Sequence, residues 1–150
     1  DLYLLPSDGD PDLLEDSTLL RNRIFQTISN LNPKSVTVFL DTCYSGATRS
    51  EELLVASRPI FIEVQEQDIP KNFSVFSASS KRETAKVFSE AEHGLFSYYF
   101  MKGIEGNADF NSDNQITNGE LQNFISKNVS RLANQSPQFK GDINKVLIKW

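Results

Sequence analysis

Cysteine and histidine each occur once among the 150 residues, as Cys43 and His93. A single thiol excludes an internal disulfide and a multi-thiolate zinc site, and a single imidazole excludes a multi-histidine metal centre. Positive charge is also in deficit: 15 Lys and Arg stand against 20 Asp and Glu, for a net charge of −5 and a pI near 4.9. A nucleic-acid binder would carry a basic stripe, so that class of partner is not expected. No apolar run approaches the roughly 20 residues that span a bilayer, and no membrane association is expected. The N-terminus has neither an initiator Met nor a signal-peptide pattern, which predicts a chain that begins inside a longer protein. With 39% hydrophobic and 23% charged residues, the sequence suits one domain with a real core.

Hydrophobic spacing predicts alternating strands and helices. Residues 2–5 read as a short strand closed by Pro6 and a turn-rich stretch through Pro11. Asp16 or Ser17 is placed to cap a helix whose apolar positions Leu20, Ile24, Ile28 and Leu31 recur at helical spacing, with Asn32-Pro33 as its stop. Residues 35–40 form a β-branched run, the pattern of a buried strand in a parallel sheet. Residues 46–58 read as a polar loop, 59–64 as a second extended piece, and 73–78 as a further strand before a polar stretch at 79–92. Phe96, Phe100 and Ile104 make a helical stripe after Gly94. Thr117 opens another helix with Leu121, Phe124, Ile125 and Leu132 inside, and 143–150 closes the chain as a strand. Such alternation implies an α/β sandwich with a mostly parallel sheet.

In open α/β sheets the chemistry sits beyond the carboxyl ends of the strands. Asp41, Thr42 and Cys43 follow the strand at 35–40 directly, and Ser45-Gly46 can turn sharply there. By position alone Cys43 reads either as a nucleophile, given a nearby base, or as a half-buried structural thiol. Asp41 reads as a carboxylate satisfied by local backbone donors.

The run Val36-Thr37-Val38-Phe39-Leu40-Asp41-Thr42-Cys43-Tyr44-Ser45-Gly46 resembles the nucleophile segment of caspase-like cysteine proteases, in particular metacaspases and their bacterial relatives. Further stretches agree in order: residues 3–8, Phe76-Ser77-Ala78-Ser79, Glu92-His93-Gly94-Leu95-Phe96-Ser97-Tyr98, and Gln135-Ser136-Pro137 with Gly141-Asp142. The resemblance implies a three-layer α/β sandwich with a mostly parallel sheet, of which residues 1–150 supply the later part. The sheet's first strands and the segment with the catalytic histidine are expected upstream of residue 1, because that histidine lies roughly 50 residues before the cysteine in caspases.

What the resemblance implies for function is a thiol endopeptidase acting on polypeptides. Cys43 is its nucleophile, and the upstream part of its own domain is its partner. The lone thiol itself points to a reducing compartment, the cytoplasm. Asp41 then faces an Arg or Lys side chain of the substrate, since a buried carboxylate needs a cationic partner. The flanking residues lack the Gln-Ala-Cys form of caspases that cut after Asp. Residues 46–70 correspond to the loop cut during maturation, with Arg49 and Arg58 as candidate autoprocessing sites. His93 matches a structural position and is expected to cap or pack at a helix start, not to serve as the base. The rival reading is a non-catalytic caspase-like interaction module with a calcium-stabilised loop.

That loop is 109–120. Asp109, Asn111, Asp113 and Glu120 supply oxygens at positions 1, 3, 5 and 12 of a twelve-residue calcium loop, with the Gln115 carbonyl at 7 and Thr117 at 9. Position 6 is Asn114 in place of Gly, and Asn tolerates the left-handed conformation better than most residues. Two glycines, Gly103 and Gly106, make the entering segment a poor helix. Thr117 and Glu120 also form a capping box for the next helix, which needs no metal.

Overall fold

The structure, a computed structural model, describes residues 3, 4, 6, 8, 10, 13, 16, 18–41, 69–78, 87–88, 93–133 and 135–150. Cys43, the loop at 46–58 and the extended piece expected at 59–64 lie outside these residues. Within them the elements run β1 (Tyr3–Leu4), β2 (Leu19–Leu20), α1 (Arg21–Ser29), β3 (Val36–Leu40), β4 (Phe73–Ser77), β5 (Val87–Phe88), β6 (His93–Gly94) and α2 (Leu95–Lys102). A wide π-helical turn, Gly103–Asn107, follows α2, and then come β7 (Gln115–Thr117), α3 (Asn118–Leu132), β8 (Gln138–Lys140) and β9 (Val146–Lys149). The fold is mixed α/β, with three helices and a small mixed sheet among the described residues. None of these helices is long and apolar enough to cross a membrane.

The chain divides into two units, residues 1–36 with 61–73 and residues 37–60 with 74–150. In the first, β1 pairs antiparallel with β2, setting Tyr3 opposite Leu20 and Leu4 opposite Leu19. This pairing corrects the expected helix start: Leu19 and Leu20 serve the ladder, and α1 begins at Arg21, past both Asp16 and Ser17. The buried side chain of α1 is Phe25, whose ring lies 5.1 Å from that of Phe73, with the Arg21 guanidinium over the Phe25 ring, 5.5 Å from its centroid. Leu31, expected on the inner face, is 77% exposed because α1 ends at Ser29.

The second unit holds the larger core. In its three-stranded sheet the order is β3-β4-β8. The Val36 N–H donates to Asn72 O, and the Ala78 N–H to Leu40 O; partners that advance together make β3 and β4 parallel. β8 is antiparallel to β4, with Phe76 opposite Phe139. Among the described residues the sheet is therefore mixed, with one parallel and one antiparallel pair. β9 pairs antiparallel with β7, so the strand expected at 143–150 starts only at Val146.

Every residue of β4 is buried, as befits the middle strand. Phe76 meets Phe39 of β3 at 5.0 Å and Phe139 of β8 at 4.6 Å, and Phe39 meets Phe100 of α2 at 3.9 Å. Below this row, α3 contributes Leu121, Ile125 and Val129, one per turn and all fully buried. Leu132, expected inside, is 57% exposed at the end of the helix, one position short of the next inward turn. A Cβ on Gly103 would lie 2.5 Å from Leu121 Cδ1, so the missing side chain lets α2 and α3 approach.

The core also holds one polar clamp. The buried Asn118 amide donates to Ser74 Oγ and to Asp142 O, both at 2.9 Å, tying the start of α3 to β4 and to the chain before β9. Asn118→Ala would strand these acceptors and should lower unfolding free energy by about 2 kcal/mol. Phe76→Ala should cost about 3–5 kcal/mol through the cavity left between the Phe39 and Phe139 rings. Urea titration of both variants, read by tryptophan fluorescence and circular dichroism, checks the two values.

Candidate active site

β3 ends at Leu40, and Asp41 is the next residue, at the carboxyl end of a strand in parallel pairing. Its half-buried carboxylate faces the start of α2. Ser97 Oγ, 56 positions along the chain, donates to Asp41 Oδ2 at 2.6 Å, the short length expected of a hydroxyl bonded to a charged oxygen. The N-cap of α2 is Gly94, which has no side chain with which to cap the helix. The Asp41 carboxylate occupies the space a side chain would take there. A Cβ on Gly94 would collide with Asp41 Oδ2 and lie 3.0 Å from Cγ and 3.1 Å from Oδ1. The positive end of the helix dipole favours a carboxylate at this position.

Two segments singled out in the sequence, Asp41-x-Cys43 and His93-Gly94-Leu95-Phe96-Ser97, therefore meet. Cys43, Thr42, Ser45 and Gly46 lie outside the described residues. The His93 backbone is part of β6, which pairs with β5 so that Phe88 is opposite His93 and Val87 opposite Gly94. The hydroxyl of Ser97 was not legible as a site group, because its partner lies far along the chain and no local spacing points to it. The Lys102 ammonium is held above its usual pKa range, first by its hydrogen bond to Glu105 and then by that carboxylate's charge. Both side chains are exposed, and this pair marks no site.

The acidic loop is shaped by its own side chains. Asp109 accepts from the Asp113 N–H at 3.2 Å and the Asn114 N–H at 3.1 Å. Asn111 Oδ1 accepts from the Asp113 N–H, and Asp113 Oδ1 from the Gln115 N–H, each at 2.9 Å. Asn114 has φ 61°, the left-handed turn that position 6 of a calcium loop requires. Gln115 begins β7. Glu120 is turned to the helix start instead: its Oε2 accepts from the Thr117 N–H at 2.9 Å and Thr117 Oγ1 at 2.8 Å, while the Glu120 N–H donates to Thr117 Oγ1. This is the full capping box. Among the described residues no three His, Cys, Asp or Glu side chains are grouped as a metal cage.

No protein-family model matches this sequence, and no curated protein matches it either. The functional reading accordingly stands on the residues and their geometry.

Thr117→Ala removes the oxygen that receives the Glu120 N–H and should destabilise the fold by about 1 kcal/mol. Thr117→Ser keeps that oxygen and should cost a few tenths at most. Thermal unfolding of the two variants side by side provides the measurement.

Proposed function

We propose that residues 1–150 are the later, nucleophile-bearing part of a caspase-like cysteine endopeptidase that cleaves polypeptides after Arg or Lys. The observation that carries this reading is the contact of Asp41 with Gly94 and Ser97. The resemblance picked out the two segments separately, one as the nucleophile segment and one as a helix start, and a single hydrogen bond spans them. In this reading the sheet is the mostly parallel one of a three-layer sandwich, extended by strands upstream of residue 1.

Chemically, a histidine upstream of residue 1 takes the proton of the Cys43 thiol, and the thiolate attacks the scissile carbonyl. The backbone N–H of Cys43, with one from the segment carrying the histidine, holds the oxyanion. The imidazolium then protonates the leaving amine, and water hydrolyses the thioester. Asp41 receives the substrate's guanidinium or ammonium group, the two charges compensating each other's desolvation. Arg49 and Arg58, in the 46–70 segment, are candidate sites of self-cleavage. A reactive free thiol suits the reducing cytoplasm.

In the full-length protein, fluorogenic peptides ending in Arg or Lys should be cut at least about tenfold faster than those ending in Asp, since a carboxylate in the pocket repels a like charge on the substrate. Cys43→Ala should abolish turnover. Equal cleavage of Asp-ending peptides would reject the specificity, and no Cys43-dependent turnover would favour the non-catalytic interaction module.

Calcium is the proposed ion of the 109–120 loop. Its oxygen donors, Asp109, Asn111, Asp113 and the Gln115 carbonyl, suit a hard cation, and the left-handed Asn114 gives the turn such a loop needs. Glu120 would complete the set by leaving Thr117. The ion would supply structural charge neutralisation. Millimolar calcium should raise the melting temperature by mass action. Asp109→Ala combined with Glu120→Gln should abolish that rise, and a rise surviving both changes would place the ion elsewhere.

A further inference from the structure

The backbone at Gly94 has φ −60° and ψ 140°, a conformation open to any L-residue, so glycine is not required there by the chain itself. What a side chain would strike is Asp41: its carboxylate supplies all three of the nearest atoms. Three residues on, Ser97 points its hydroxyl at the same carboxylate. The start of α2 thus offers one residue that makes room for the carboxylate and one that fixes its rotation.

We propose that Ser97 and Gly94 are positioning residues for Asp41, setting the orientation in which its carboxylate meets the basic side chain of the substrate. The inference rests on the reading of Asp41 as the substrate-binding carboxylate. A carboxylate free to rotate loses part of its interaction to ordering on each binding event, whereas one fixed in advance does not. Each carboxylate oxygen accepts more than one hydrogen bond, so the bond from Ser97 leaves capacity for a guanidinium. Since the positioning acts on substrate binding and not on the thiol, its loss belongs in KM and not in kcat.

The test is a double-mutant cycle in the full-length protein with Arg-ending and Asp-ending fluorogenic peptides. Ser97→Ala should raise KM for the Arg-ending peptide by about tenfold, the scale of one charge-assisted hydrogen bond, with kcat within about twofold. Ser97→Thr, which keeps the hydroxyl, should restore KM. Gly94→Ala, which displaces the carboxylate, should raise KM in the same way. On an Asp41→Ala background neither Ser97→Ala nor Gly94→Ala should add a further effect.

A KM unchanged by Ser97→Ala, an effect confined to kcat, or full additivity with Asp41→Ala would overturn the positioning role. Should Ser97→Ala fail to fold, Gly94→Ala and Ser97→Cys carry the same cycle. Asp41→Ala alone separates the two levels. If it leaves the preference for Arg intact, the reading of Asp41 itself is wrong and the positioning role falls with it. If it removes that preference while the Ser97 and Gly94 variants change nothing, the reading stands and the positioning inference alone is lost.

Discussion

A row of aromatic rings runs across the three-stranded sheet, Phe39 on β3, Phe76 on β4 and Phe139 on β8, with neighbouring centroids 5.0 and 4.6 Å apart. Phe100 of α2 packs on its first member at 3.9 Å. Contacts of this kind add about 0.5–1.5 kcal/mol each beyond the area they bury. The row decides the register of β8 against β4, since Phe76 and Phe139 are direct partners. It also fixes where α2 lies over the end of β3. With α2 held by Phe100, its first turn comes level with Asp41, and the Ser97 hydroxyl is delivered to the carboxylate.

Local pattern made the main elements legible. The β-branched run at 36–40, the Phe-rich run at 73–77, the helix after Gly94 and the Thr117–Glu120 cap all have their signal within a few residues, and the structure has them at those places. Asn114 in the left-handed conformation was legible too, because the loop spacing asks for it and Asn tolerates it. What was not legible depends on partners far along the chain. Leu19 and Leu20 look helical until Tyr3 and Leu4 offer them a ladder. The antiparallel arrival of β8 leaves no trace in its own three residues.

The candidate site divides the same way. Asp41 could be singled out from its place at a strand end, and Gly94 and Ser97 only as parts of a motif. That Gly94 clears space for a carboxylate, and that Ser97 bonds to it, follow from a pairing of distant segments that no periodicity encodes. In the acidic loop, Glu120 fits two spacings at once, a twelfth ligand and an N3 capping residue, and the structure has it in the second role. Asn118, at the same helix start, is the clamp between α3, β4 and the last loop because it is buried beside them, which no local spacing encodes.

The bond from Ser97 to Asp41 closes a span of 56 residues. Closing a flexible loop of that length costs at least about 3.5 kcal/mol of chain entropy, more than one hydrogen bond to a charged group returns. The bond therefore cannot form in an otherwise unfolded chain and must follow the core that brings its ends together. Such long-range contacts also slow folding, because their entropy is lost before their energy is gained. The orientation of this carboxylate is thus a late product of folding, set only once the core has brought the end of β3 and the start of α2 together.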